Sequence, residues 1–233
     1  MMKVQLLAHT QLSENAFNEF KDLTDYEVND GQIVSLAAIR QCYSYKTAKE
    51  VLLTESEKYL GDKGKEGKRL MNFIIKSGHT STMEHIHFTF TVEGVSRALL
   101  SQLTRHRHLS FSVQSQRYNK FSSDSRSGGF DYAIPHTCSD ADIVLKYTDM
   151  MNEIQDMYDS LIRLGVPQED ARSVLPNAAT CNLVTSGNLR AWLEFYNKRK
   201  KGKGAQAEIA EFAEHIKDAI VFVEPWTKEY FEL

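Results

Sequence analysis

The segment Arg105-His106-Arg107-His108-Leu109-Ser110-Phe111-Ser112-Val113-Gln114-Ser115-Gln116-Arg117-Tyr118 concentrates three arginines and two histidines in fourteen residues, in a chain of formal net charge −3. Guanidiniums at this density suit anions, because the planar fork of arginine binds phosphate or carboxylate oxygens in pairs and does not lose its charge. Three readings compete. A solvated basic turn would pair its arginines with surface carboxylates. A non-enzymatic nucleotide- or RNA-binding surface would use Arg with Tyr and Phe to hold phosphate and stack bases. Against RNA, a sequence pI near 6.2 and 31 acidic against 28 basic residues give no domain-wide basic field. The third reading is a pocket for small phosphorylated molecules.

The elements that must position this segment follow from its periodicity. Val95, Ala98, Leu99, Leu103 and His106 recur at helical spacing, so a short helix carries the chain to the first arginine. From Leu109 the period becomes two, with Leu109, Phe111 and Val113 opposite Ser110, Ser112 and Gln114. Continued, the apolar side acquires Ser115 and Arg117. A hydroxyl and a guanidinium facing an interior need bonding partners, and an anionic ligand would supply them.

Two other clusters invite chemical readings. In Gly78-His79-Thr80-Ser81-Thr82-Met83-Glu84-His85, followed by His87, three histidines and a glutamate suggest a metal site, but no His-Glu-x-x-His pair is present. The strand period places His85 and His87 on one face and His79 in the preceding loop, so structural histidines are expected and no metal. Gly61-Asp62-Lys63-Gly64-Lys65-Glu66-Gly67-Lys68-Arg69 superficially suggests a phosphate loop, yet Arg69 stands where such a loop needs Ser or Thr, and a solvated turn is expected. Cys42, Cys138 and Cys181 are odd in number and scattered. They offer neither a disulfide framework nor a zinc knuckle and read as small buried residues of a reducing compartment.

At 42% hydrophobic content over 233 residues, one domain spanning 1–233 is expected. No apolar run is long enough for a membrane span, and Met1 to Leu7 reads as a first strand without a signal-peptide pattern, which implies a cytoplasmic protein. Ile33, Leu36, Ala37 and Ile39 mark a helix within 29–48, and Ile86, Phe88, Phe90 and Val92 alternate with His87, Thr89, Thr91 and Glu93 as a half-buried strand. Residues 140–165 read as an amphipathic helix whose stripe, including Ile143, Met150, Met151, Met157 and Tyr158, is expected to be core. A short helix from Gln168 to Val174, a short strand Asn182-Leu183-Val184-Thr185, a helix from Leu189 to Asn197 capped by Ser186 or Asn188, and a last helix from Ala205 to Val223 complete the chain. Lys198-Arg199-Lys200-Lys201-Gly202-Lys203 follows a helix end, where cations are favoured by ~0.3–1 kcal/mol each when exposed. These elements predict an α+β fold, a central mixed or antiparallel sheet flanked by helices, with a helical lobe.

Arg105-His106-Arg107, seven residues, then Ser115 and Arg117-Tyr118 resembles the signature of the flavin-dependent thymidylate synthases, the thymidylate synthase complementing protein family. The Gly-His-x-x-x-x-Glu-His pattern of Gly78 to His85 is similar to a second segment of that family, and the resemblance runs from about His79 to Phe231. It implies reductive methylation of deoxyuridylate (dUMP) to thymidylate (dTMP). The one-carbon donor would be 5,10-methylenetetrahydrofolate, and reduced pyridine nucleotide, NADPH, would be the hydride source through FAD. By position, His79, Ser81, Glu84, Arg105, His106, Arg107, Asn188 and Arg190 are implied to contact the flavin, and Gln102, Ser115, Arg117, Arg172 and Arg199 the nucleotide. In the relatives each site is shared between subunits of a homotetramer. Arg172 or Arg117 is the candidate to stabilise negative charge developing on the uracil carbonyls. Ser115 resembles a nucleophile by position, but with no neighbouring base visible it is expected to be a hydrogen-bonding ligand. The chain departs from parts of the family at Val113, at Glu194, where some relatives have Asn, and at Lys203-Gly204, in a loop with one extra residue. All the implied ligands are anions, and neither a Rossmann glycine fingerprint nor a P-loop is present, so side chains must do the work of a backbone cradle.

Overall fold

The computed structural model describes residues 2–20 and 28–232. The chain forms β1 (Lys3–His9), α1 (Glu14–Glu19), α2 (Asp30–Tyr43), α3 (Ala48–Lys76), β2 (His87–Ser96), α4 (Arg97–Leu103) and β3 (Ser110–Val113). It continues with α5 (Ala141–Arg163), α6 (Gln168–Ala171), β4 (Thr180–Asn188), α7 (Leu189–Arg199), α8 (Ala207–Val223) and α9 (Lys228–Glu232). The strands pair in the order β1-β2-β4-β3 as an antiparallel sheet, which makes the fold α+β. Of the expected first strand, Met1 lies outside the described residues.

The register of β2 is set by burial. Ile86, Phe88, Phe90 and Val92 are fully buried while His87 and Glu93 are exposed. A one-residue slip would bring out side chains whose burial is worth roughly 1.5–3 kcal/mol each and bury charge in their place. β4 is longer than its sequence suggests, because Thr185 and Gly187 occupy inward positions between Leu183 and the helix and so hide the alternation in hydropathy. Val95, expected in the following helix, belongs to β2. The helix starts one step later because Ser96 caps it, its Oγ accepting from Leu99 N at 3.0 Å.

Two compact units divide the chain. The first comprises residues up to Gln5, Phe90–Thr185 and Arg199–His215; the second comprises Leu6–Thr89, Ser186–Lys198 and Ile216–Leu233. In the first unit Phe121, Tyr158 and Ala171 form a small core, and Tyr158 Oη accepts from Phe121 N at 3.3 Å. The α5 stripe is only partly core, contrary to the expectation from its pattern. Met151 and Tyr158 are buried, but Ile143, Met150 and Met157 are exposed, as is Leu164 just beyond the helix. Helical spacing alone cannot tell a face covered within one chain from a face left bare.

The second unit is built around α2 and α3, with Ile33, Leu36, Leu52, Tyr59 and Leu60 as a shared core. The Gly61–Arg69 stretch, expected as a solvated turn, lies inside α3. Thr47 and Glu50 start that helix with a capping box, and Lys, Glu and Arg are good helix formers, so the charge run forms part of its solvent side. The glycines still leave a mark. Asp62 and Gly64 take φ of +46° and +70° within the helix, and a Cβ on Gly67 would lie 2.5 Å from the Tyr59 carbonyl oxygen. Glu224 ties the chain's end to the start of α2. Its Oε1 accepts from Gly31 N at 3.1 Å and its Oε2 from Trp226 Nε1. Burial pushes the Glu224 carboxyl up to about 7, against those two hydrogen bonds, and neighbouring Asp30 adds to the rise. Among the described residues no helix is long and apolar enough to cross a membrane.

Candidate active site

The arginine segment occupies the first unit as two turns around a short strand. α4 ends at Leu103, and His106 N→Leu103 O and Leu109 N→His106 O close a double turn that leaves Arg105 and Arg107 exposed. Neither takes part in an ion pair among the described residues. β3 then runs with Leu109 buried before it and Ser110 and Ser112 exposed, as the period predicts, but it stops at Val113. The expected continuation to Ser115 and Arg117 fails because Ser115 starts a turn: its Oγ accepts from Arg117 N at 3.1 Å and its carbonyl from Asn119 Nδ2 at 2.7 Å. Arg117 therefore points to solvent and its guanidinium is satisfied on the surface.

There it meets α6. Arg117 Nε donates to Glu169 Oε2 at 2.5 Å, Gln168 Nε2 donates to Arg117 O at 2.6 Å, and Arg172 Nε donates to Glu169 O at 2.9 Å. Arg117 and Arg172 are thus brought together by Gln168 and Glu169, which sequence reasoning missed. Both partners of the Arg117–Glu169 pair are about half exposed, 56% and 44%, so the pair is worth only ~0–1 kcal/mol and yields readily to a phosphate. The Ser115 hydroxyl has no imidazole or carboxylate against it in these hydrogen bonds, which fits a ligand contact.

A second cluster joins Gln102, His106 and Arg199. Arg199 Nε donates to His106 Nε2 at 3.1 Å, and Arg199 Nη2 donates to Gln102 O at 3.3 Å. His106 must then carry its proton on Nδ1. Arg199 is the last residue of α7, but the end it serves is that of α4, whose penultimate carbonyl it bonds. Gln102 Nε2 also reaches Gln206 Oε1 at 3.0 Å. Arg97, a further residue missed, sits in the first turn of α4. Its Nη2 donates to Gln114 O at 2.7 Å while its buried Nε has no partner among the described residues. A cation at the positive end of a helix is the sequence signal that could have found it.

In the second unit Arg190 stands between two carboxylates, Nη1 to Glu84 Oε1 at 2.6 Å and Nε to Glu194 Oε1 at 3.2 Å. Hydrogen bonding to Glu84 raises the Arg190 pKa above its ordinary value. Glu194 therefore helps neutralise an arginine here. Asn188 caps α7, its Oδ1 accepting from Ala191 N at 2.8 Å, which decides between the two expected caps. His79 and Ser81 are exposed at the start of the 3₁₀ turn Thr80–His85. Tyr43, at the end of α2, hydrogen-bonds His79 Nδ1, and the rings lie 6° from coplanar, edge to edge. That leaves His79 Nε2 for a ligand, and no spacing rule links the two residues.

Among the described residues no three His, Cys, Asp or Glu side chains gather to hold a metal ion. Cys181 is buried and burial pushes its thiol up, away from thiolate chemistry. Cys138 is half-buried and Cys42 is exposed, which corrects its reading as a buried residue.

Arginines gathered on turns and short helices of an α+β fold, with few carboxylates opposing them, are what an enzyme acting on anionic substrates requires. Residues 22–226 match the family described as thymidylate synthase complementing protein, and the chain belongs to that family of enzymes. It is 36% identical over 199 residues to a flavin-dependent thymidylate synthase of Geobacter sulfurreducens, covering 85% of this chain and 73% of the relative. It is 34% identical over 229 residues to a probable flavin-dependent thymidylate synthase of Mycobacterium phage D29, covering 91% and 88%. The fold is similar to that of the UMP/dUMP methylase PolB from Streptomyces cacaoi, crystallised with 5-Br dUMP, with a TM-score of 0.70 at 21% identity over 100% of this chain and 95% of that one.

Proposed function

We propose that the protein is a flavin-dependent thymidylate synthase that methylates dUMP reductively to dTMP, with FAD as cofactor and 5,10-methylenetetrahydrofolate and NADPH as co-substrates. The observation that carries this reading is the grouping in one unit of all five nucleotide positions. Ser115, Arg117 and Arg172 meet at one turn and α6, and Gln102 and Arg199 are hydrogen-bonded to each other. Arg117 and Arg199 present forks suited to a phosphate dianion, and Arg172 suits the uracil carbonyls, where a fixed positive charge stabilises the electron density that makes carbon 5 nucleophilic. The Ser115 hydroxyl donates to the nucleotide.

The residues present fit a flavin dinucleotide. Arg105 and Arg107 are exposed guanidiniums without carboxylate partners among the described residues, and His79 offers Nε2 while Tyr43 holds its other nitrogen. When bound, the flavin supplies the hydride chemistry. The chain's own part is to hold and orient the flavin, a role the family resemblance assigns to His79, Ser81, Glu84, Arg105, His106, Arg107, Asn188 and Arg190. No thiolate is needed. The whole chain, 1–233, acts as one functional domain in the cytoplasm. It assembles as a homotetramer with sites shared between subunits, a reading supported by the bare apolar row Ile143, Met150 and Met157 at seven-residue intervals along α5, continued by Leu164 just past its end.

The test is spectroscopic and catalytic together. The purified protein, reconstituted with FAD, should show a visible flavin band that added dUMP perturbs, and it should form dTMP when the folate and NADPH are supplied. A protein that binds dUMP but takes up no flavin and forms no dTMP would be a nucleotide-binding module instead.

A further inference from the structure

We infer that the second unit contains a separate binding site for a neutral, planar aromatic molecule bearing one hydrogen-bonding group, in the cavity between α2, α3 and the chain's last turn. The cavity measures about 530 Å³, within the range of small-molecule sites. None of the residues assigned to dUMP or the flavin lines it.

Its existence traces to the glycine-rich stretch that the proposed reaction leaves unused. Asp62 and Gly64 take left-handed φ values within α3, and Gly64 and Gly67 line the cavity with bare backbone where side chains would fill it. The opposite wall is the buried stripe of α2, and one member of that stripe is out of character. Ser35 is 1% exposed and lines the cavity among Leu36 and Ile39, and its Oγ has no hydrogen-bond partner among the described residues. A helical serine ordinarily returns its hydroxyl to the carbonyl one turn back; this one does not. A buried hydroxyl left without a partner is destabilising, and a ligand atom in the cavity that meets it would remove that cost.

The remaining walls define the ligand. Tyr59, Trp226 and Tyr230 present aromatic surface, which favours a flat ring system. The charged lining consists of Lys68 and Lys228 against Glu229 and Glu232, and Lys68 Nζ pairs with Glu229 Oε2 at 3.1 Å. Two cations and two carboxylates cancel, unlike the arginine segment, so a neutral molecule is selected over an anion.

Calorimetric titration of the flavin-loaded, full-length protein with 2-naphthol tests the site. Saturable binding is expected, weakened roughly tenfold by Ser35→Ala, about 1.4 kcal/mol, and abolished by Leu36→Trp, which fills the cavity. The anion 2-naphthoate should bind more weakly than 2-naphthol. Removing the orphan hydroxyl should also raise the thermal midpoint of the ligand-free Ser35→Ala protein. Absence of saturable binding, equal affinity of wild type and Ser35→Ala, or preference for naphthoate would each overturn the assignment. Unchanged affinity with a lowered midpoint would mean that an ordered water satisfies Ser35. If Leu36→Trp does not fold, the Ser35→Ala comparison decides alone.

Discussion

Arg190 and Arg199 stand at opposite ends of α7, and the protein treats them differently. Arg190 is held by two carboxylates, Glu84 and Glu194, and its charge is answered before any ligand arrives. Arg199 is held by neutral acceptors, an imidazole nitrogen and a peptide carbonyl, which fix its direction and leave its charge unspent. Both are named by the same family resemblance, and a sequence pattern cannot separate them. The difference teaches that an arginine is ready for an anion only where the fold has oriented it without neutralising it. Arg117 lies between these extremes, with one exposed carboxylate that a phosphate can displace.

The largest effect tests the carboxylate side of this comparison where no cation helps. Glu224 carries a pKa of about 7 in the folded protein against 4.5 ordinarily, so the folded state binds the proton more tightly. Stability is therefore full below about 4.5, falls as pH rises toward about 7 and is flat above, a change on the order of a few kcal/mol. Urea denaturation at pH 5 and pH 8 should show the loss, and Glu224→Gln should remove most of it. A wild-type midpoint that rises between those two pH values would contradict the burial argument.

Next in size is Arg107→Ala, which should lower flavin affinity by roughly tenfold to a hundredfold, since hydrogen bonds to charged groups contribute about 1.5–3 kcal/mol. The thermal midpoint of the flavin-free protein should hardly move, and equal flavin occupancy in the variant would count against an unneutralised arginine as an anion site. At the end of α7, Arg199→Lys keeps the charge but loses the fork, so dUMP affinity read from the flavin spectrum should fall about tenfold, ~1.4 kcal/mol. Lys200→Ala and Lys201→Ala are the controls; losses of similar size at all three would mean a diffuse field. Ser115→Ala should raise the KM for dUMP several-fold with turnover retained. Complete loss of turnover with dUMP still bound would make it a nucleophile. Smallest is Glu194→Gln, which removes an exposed pair of a type worth ~0.3–0.5 kcal/mol and should shift stability by no more than that. A larger loss would show that Arg190 depends on both carboxylates for its placement.

Much of the scaffold was legible because burial and periodicity coincide in β2, α2, α7 and α8, where every second or every third and fourth residue is apolar for one reason only. The reading failed where that coincidence breaks. Thr185 and Gly187 take inward positions and hid half of β4; α5 buries Met151 yet bares Met150 and Met157. The charged run after Gly61 looked like a turn because composition does not reveal that Thr47 and Glu50 had already committed the chain to a helix. At the site, the residue types and spacing pointed to anion binding, but Glu169, Gln168 and Tyr43 were invisible. Each acts through a contact made far along the chain, and nothing local distinguishes them from ordinary surface residues.

The strand order also has a consequence for synthesis. β3, which follows the arginine turn directly, is an edge strand whose sheet neighbour is β4, and α5 and α6 must be made before that neighbour exists. On the ribosome the signature segment therefore waits without a template while α5 and α6 pass, since long-range strand pairing is closed late. Nascent chains arrested before Thr180 should be cut readily by trypsin at Arg105, Arg107 and Arg117. Chains arrested after α7 has cleared the exit tunnel should resist, so the anion site of this protein is among the last parts of it to acquire a shape.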